Sequence, residues 1–412
     1  VGNNPEKRSL LSLDERVDPD AISKLGFGRI HPDVLALLPE TWAEMLARPV
    51  IKFPTQTSFL VLGAIFALSG LTVIVLPPWR AHRWEGWLMG LVGLATVMAV
   101  LLGAAMGKRV DVVGMLADSV RLATPIALGA MAGVLSERAG VINIAIEGMM
   151  LTAACLGFAA SLYLQSSALG LVVAILSATV MAALHAVLSI QFQVDQIVSG
   201  TVVNILAVGI TGFVRRSFLL SNPFGAPGVF PPWRIPVLSK IPVLGQILFS
   251  HQPMVYSMIV LVILIHFYLF HTPWGLRHRA VGEHPQAADT LGINVFRIRY
   301  LAVLASGAVA GLGGAWFSLE TVGSFDDLMT GGKGFIALAA MIFGKWNPIN
   351  SALGAGLFGF ADALNIKLQI LEVGVPYQFI GMLPYFLTII VLAGLIGRAI
   401  PPAADGIPYE KQ

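Results

Sequence analysis

The sequence predicts an all-α, polytopic transmembrane bundle with broken or re-entrant segments. Three observations carry that expectation. The 412 residues are 56% hydrophobic and 12% charged, with a mean hydropathy of +0.79. Soluble domains carry roughly a quarter charged residues, and a soluble core could not hide this much apolar surface. Apolar runs of spanning length, about twenty residues each, recur along the chain and number about ten. Finally, Pro/Gly-rich or basic loops separate those runs.

In chain order, residues 1–54 read as a polar N-terminal arm with seven Lys/Arg, in which Pro39-Glu40-Thr41-Trp42 starts a short helix. The arm is polar and mixed in charge, so no cleavable signal peptide is expected within it. Spans are expected near 59–77, 87–106, 117–135, 141–164, 170–192, 196–218, 253–271, 299–320, 350–368 and 376–397. The run at 334–344 is too short to cross and reads as re-entrant. Residues 220–252 form a Pro/Gly/aromatic loop, and residues 272–299 a polar one with Arg277, His278, Arg279, Arg297 and Arg299. That basic cluster places loop 272–299 in the cytoplasm. Counting from it, the turn at 193–197 and the C-terminus lie inside and loop 220–252 outside. If every run crossed fully, the basic arm would lie outside. A break in the stretch 136–150 removes the conflict.

That stretch, SERAGVINIAIEGMM, sets Glu137, Arg138, Asn143 and Glu147 inside apolar sequence, with Gly140 and Gly148 free to break a helix. Ionisable groups at membrane depth are costly and usually face a cavity or a partner. Irregular backbone there must be satisfied by protein or water. Asn143 and Glu147, with Asn204, therefore read as lining a polar path. Glu137 and Arg138 read either as a gate or as a solvated turn. His185, Asp362 and Asn365 read as helix-to-helix hydrogen bonds. Gly129/Gly133 and Gly307/Gly311 read as close packing within one subunit. The likeness of AGVINIAIEGMML (139–151) to GKGFIALAAMIFG (332–344) suggests a weak internal repeat, a feature of transporters.

Catalytic chemistry is not indicated. TGGKGF at 330–335 lacks phosphate-loop spacing, and GLGGAW at 311–316 lies within a span. The eight histidines are dispersed, and the single cysteine, Cys155, excludes an internal disulfide or cysteine metal cluster. A net charge of +3 does not suggest nucleic acid. The expectation is a conduit without cofactor or metal. In loop 272–299, Pro285 suits the first turn of a helix and Gly292 the position past its end, with Ala287, Ala288 and Leu291 on one side. A small-residue face of this kind suits docking on a soluble partner.

RLATPIALGAMAGVLSERAGVINIAIEGMML (121–151) and RAVGEHPQAADTLGINVFRIRY (279–300) resemble the membrane permeases of ABC importers in the branched-chain amino acid/ribose permease superfamily. The nucleoside-type branch, served by a basic-membrane-protein-type binding lipoprotein, is the most similar. The resemblance covers about 111–400. It implies a permease core there, with 55–110 as two extra spans and 401–412 as a cytoplasmic tail. GEHPQAADTLGI is similar to the family's coupling helix, which assigns Glu283, His284, Pro285, Ala287, Ala288, Asp289, Leu291 and Gly292 to ATPase coupling. It further implies inward movement of a nucleoside or small polar solute, with ATP and Mg bound by partner ATPase subunits. A second, different permease, an extracytoplasmic receptor and a bacterial or archaeal cytoplasmic (inner) membrane complete the expectation. The alternatives are an ion-coupled secondary transporter, or an ABC permease for sugars or branched-chain amino acids.

Overall fold

The computed structural model describes residues 60–65, 67–68, 111–220, 228–370, 381–382 and 399–411. The chain divides into two units, Val1–Leu62 and Gly63–Gln412, and the long helices described below all belong to the second. The arm at 1–54 and the run at 87–106 lie outside the described residues, as do most of 59–77 and of 376–397.

The long helices begin where a side chain can satisfy the first free amides. Asp111 accepts from Gly114 N (2.9 Å) at the start of α1, Val112–Glu137. After eight non-helical residues, α2 runs over Ile146–Leu164 and stops at Gln165, which adopts the left-handed conformation (φ 49°). Ser166 opens α3, Ser167–Ala186, and Asp195 opens α4, Gln196–Val214, accepting from Ile197 N and Val198 N at 2.9 and 3.0 Å. Both helices end in a π turn, Val187–Gln191 and Arg215–Leu219.

Residues 228–252 are not wholly irregular. Strands β1, Trp233–Arg234, and β2, Ser250–His251, pair antiparallel around a short helix α5, Leu244–Leu248. Tyr256 holds this ribbon, donating to Trp233 O (2.8 Å) and accepting from His251 N (3.0 Å). An all-α expectation misses the ribbon because two-residue strands leave no alternating pattern.

Helix α6, Pro253–His271, connects the ribbon to a corner of two helices, α7, Pro273–Glu283, and α8, Pro285–Thr290. Helix α7 is a correction to the loop expected there. Pro273 sets its first turn and Thr272 Oγ1 accepts from Gly275 N (3.0 Å). Helix α9, Val295–Ala315, continues into a π turn, Trp316–Val322. Glu320 in that turn accepts from Met254 N (2.8 Å), so a carboxylate of α9's extension caps α6. Then come α10, Lys333–Phe343, and α11, Pro348–Ile370.

Six of these helices are long and apolar enough to cross a membrane: α1, α2, α3, α4, α6 and α9, with α3, α4 and α9 taken together with their π turns. In α1, α2 and α9, 72–83% of the most apolar window is buried, against 33% in α3, α4 and α6. The first three therefore form the core, and the others turn apolar faces outward. The close approach depends on small residues. A Cβ on Gly129 would lie 2.7 Å from Ala337 Cβ, and one on Gly311 would lie 2.8 Å from Ile175 Cα. Both glycine pairs thus serve packing within the subunit. Helix α10, at eleven residues, is about 17 Å long and cannot cross.

Candidate functional site

The break between α1 and α2 is the centre of the site. Gly140 takes φ +83°, which turns the chain out of α1. The freed backbone groups are met by side chains from other helices. Ser136 Oγ donates to Val141 O (2.6 Å), and Gln196 Oε1 accepts from Ile142 N (2.7 Å). His185 Nε2 donates to Ile142 O (2.9 Å), and because that atom faces a carbonyl it carries the ring proton. The remaining ring nitrogen lies 3.0 Å from the Ser199 hydroxyl and accepts from it. Asn204 straddles the end of the break, donating to Ile144 O (3.0 Å) and accepting from Gly148 N (2.8 Å). Irregular backbone survives at this depth because protein satisfies it.

Two carboxylates hold the two ends of α10. Glu147 accepts from the Thr330 hydroxyl (2.6 Å), Gly332 N (2.9 Å) and Gly334 N (2.6 Å), which places its charge on the helix N-terminus. At the other end Glu137, buried, accepts from Trp346 Nε1 (2.6 Å). Arg138 donates to Trp346 O (3.0 Å) and Lys345 O (3.3 Å), placing a cation over terminal carbonyls. Lys345 and Trp346 both take φ +53° and end the helix. A solvated turn does not describe Glu137, which is 5% exposed. The likeness of 139–151 to 332–344 thus coincides with a physical contact, since the first segment grips the helix built from the second.

A cavity of about 350 Å³ opens beside this junction, lined among others by Glu147, Asn204, Ile205, Leu328, Gly332 and Phe335. Of the three residues expected on a path, Glu147 and Asn204 are therefore at the cavity wall. Asn143 is not among its lining residues. It is fully buried, and Nδ2 donates to Ser306 Oγ at 2.9 Å. Its Oδ1 has no side-chain or backbone donor. The wall is mostly apolar and includes the Phe335 ring, Glu147 and Asn204 reach it with their polar atoms already engaged as described above, and no Lys or Arg is among its lining residues. An apolar wall with an aromatic ring and no cation suits a neutral solute with a π face better than an anion.

Asp362 pairs with Lys333 and Asn365 accepts from Gln369 (2.7 Å), within α11. These are structural contacts, as is that of His185. Sequence reasoning missed Thr330, Ser306, Gln196 and Trp346. TGGKGF reads in sequence only as a failed phosphate loop, although its glycines free the amides that Glu147 collects.

The corner of α7 and α8 lies at the opposite end of α6 from the ribbon. Pro285 occupies the first turn of α8, as expected, and Gly292 follows with φ +78°. The structure separates Ala288 from Ala287 and Leu291. Ala288 is 2% exposed and packs on Val281, Val295 and Tyr409. Leu291 is 81% exposed, and Glu283, His284 and Ala287 are exposed with it. Asp289 is half-buried. In α7, His278 Nε2 donates to Leu135 O (2.8 Å), which ties the corner to α1. Burial pushes the His278 ring down to about 4, so it is neutral near pH 7. Glu283 Oε1 lies 3.8 Å from Arg138 Nη1, so the corner touches the break directly.

The family model described as "Branched-chain amino acid transport system / permease component" matches residues 115–392. The guanosine ABC transporter permease protein NupQ of Bacillus subtilis is 44% identical over 70% of this chain and 94% of its own length. The nucleoside ABC transporter permease protein NupC of Lactococcus lactis is 40% identical over 72% of this chain and 96% of its own. A further guanosine ABC transporter permease protein of Bacillus subtilis, NupP, is 25% identical over 64% of this chain and 76% of its own. No solved structure matches the chain.

Proposed function

The chain belongs to the branched-chain amino acid transport system / permease component family, and we propose that it forms half of the translocation path of an ATP-driven importer of nucleosides. The observation that carries this reading is the cavity at the α2–α10 junction, whose wall combines the Phe335 ring with Glu147 and Asn204, the residues that brace the broken segment. Nucleosides have a π face, hydroxyls and no formal charge, which the cavity chemistry accommodates. The similarity to NupQ and NupC supports the same substrate class.

The path needs a second wall, because the cavity is open on one side. The chain's likeness to two different guanosine permeases of one organism, NupQ and NupP, supports a partner that is a second, different permease. A receptor lipoprotein would deliver the solute at the ribbon end. ATPase subunits carrying ATP and Mg would dock at the α7–α8 corner through Ala287, Leu291 and their exposed neighbours Glu283 and His284. Arg277, Arg279 and Arg297 support a cytoplasmic position for that corner, and hence a multi-pass protein of the cytoplasmic membrane. In this arrangement residues 1–54 and 55–110 are additions to a permease core at 111–400, about ten spans cross in all, and 401–412 is a cytoplasmic tail.

The test is reconstitution of the complete complex in proteoliposomes with ATP enclosed on the ATPase side. Labelled nucleosides should be moved, and Asn204→Leu, which fills the cavity wall and removes the brace at Ile144 and Gly148, should cut the rate at least tenfold. Equal movement of nucleosides and nucleotides would count against the cavity as the selecting site.

A further inference from the structure

We propose that residues 399–411 form a strap that joins the ATPase-docking corner to the broken segment, with Asp405 and Tyr409 as its positioning residues; this rests on the docking role proposed for the corner.

The strap is seated at both ends. At the corner, Ala404 N donates to Gly282 O (2.9 Å) and Ala403 N donates to Glu283 Oε2 (3.1 Å). Tyr409 is 6% exposed and packs with Ala288, Val281 and Val295 under α8. Its ring also lies 5.4 Å from that of Phe296, centre to centre. At the break, the Asp405 carboxyl interacts with that of Glu137, while its Oδ1 has no hydrogen-bond partner. Burial raises the Asp405 carboxyl, which favours its neutral form beside Glu137. Arg299, buried, donates from Nη1 to Ile407 O (2.9 Å) and fixes the middle of the strap.

The backbone has been cleared for this fit. A Cβ on Gly140 would lie 2.9 Å from Ala404 O, and a Cβ on Gly406 would lie 2.7 Å from Ile142 Cδ1. Gly406 also takes φ +75°, which L side chains rarely adopt.

The contacts then continue without a gap. Leu291 is the exposed residue beside α8, and Ala288 beneath it rests on Tyr409. Asp405 meets Glu137, Glu137 meets Trp346, and Trp346 ends α10, whose other end carries Gly332 and Phe335 into the cavity. Helix α10 is short and held at both ends, so a shift of the corner would reach the cavity wall as a rigid displacement. Contiguity alone is not coupling, so the experiment reads coupling itself.

In the reconstituted complex, solute moved per ATP hydrolysed is measured for the natural chain, Tyr409→Ala, Asp405→Ala and Asp405→Asn. The alanine variants should retain bound, hydrolysing ATPase while the ratio falls at least tenfold. Asp405→Asn can still donate to Glu137 and should keep most of the ratio. Should the alanine variants fail to assemble, the milder Gly406→Ala loosens the same seat and should lower the ratio severalfold. An unchanged ratio in the assembled alanine variants, or in Gly406→Ala, overturns the strap. Leu291→Asp separates the two readings. If it releases the ATPase while the strap variants transport normally, only the strap is wrong; if the ATPase stays bound and solute-stimulated, the docking corner itself is misassigned.

Discussion

Removing the Glu147 carboxylate should unfasten the cavity end of α10. Three donors converge on it, the Thr330 hydroxyl and the amides of Gly332 and Gly334, at 2.6–2.9 Å. A net hydrogen bond contributes about 1 kcal/mol, and more when the acceptor is charged, while a donor left unpaired without water costs about 1–3 kcal/mol. Because Glu147 is only partly buried, the lower figures apply, and Glu147→Ala should cost the local structure about 3 kcal/mol. Glu147→Gln keeps one oxygen and turns the other into a donor. The Thr330 hydroxyl can reverse its role, but one glycine amide must lose its acceptor, so this variant should cost about 1–2 kcal/mol. Hydrogen exchange read on a peptide over 331–338 measures the effect directly. A loss of about 3 kcal/mol corresponds to exchange roughly 150-fold faster, and uptake should fall with it. Exchange accelerated less than about fivefold in Glu147→Ala, or Glu147→Gln indistinguishable from Glu147→Ala, would refute the convergence of three donors on this carboxylate.

Other outcomes rest on the same contacts. The His278 ring sits at about 4 in the folded protein against 6.5 for the free side chain, so the unfolded chain binds the proton first. Stability from this site is complete above about pH 6.5 and declines toward pH 4 by about 3 kcal/mol; thermal midpoints of the natural chain and His278→Phe should differ in slope over that interval, and equal slopes would contradict the assignment. Ala288→Asp should lower the thermal midpoint, because the new carboxylate enters the Val281–Val295–Tyr409 cluster, whereas Leu291→Asp should leave the midpoint within about a degree and reduce ATPase binding; the reverse pattern would mean that α8 presents its other face. A cysteine at Val237, which is exposed, should react with an impermeant thiol reagent in intact cells, and reaction only after lysis would invert the orientation.

The helices were legible because their apolar runs are long and their caps are local. The runs at 117–135, 196–218 and 253–271 fall on helices of the structure, while the starts set by Asp111 and Asn294 lie several residues before the runs expected there. The break at 138–145 was legible too, since Gly140, Asn143 and Glu147 contradict their apolar surroundings. What those residues do was only partly legible. Glu147 reached a cavity wall, but its three donors come from a segment nearly two hundred positions away, and no local pattern encodes such a pairing. Glu137 could not be told from a solvated residue because its partner is Trp346, a large aromatic with one polar atom. Ala288 was assigned the wrong side of α8 because a six-residue helix has too few turns to reveal which face is covered, and the cover includes Tyr409 from the far end of the chain. The ribbon at 233–251 and helix α7 were missed where short elements lie among prolines.

ATP-driven import of nucleosides is tested by uptake of labelled guanosine into cells carrying the complete transporter, with and without this chain, under conditions that separate ATP from ion gradients. Uptake should require the chain, disappear when ATP is depleted, and survive collapse of the proton and sodium gradients while ATP is maintained. Uptake that persists without ATP and vanishes when the gradients collapse would contradict an ABC importer and would favour an ion-coupled secondary transporter.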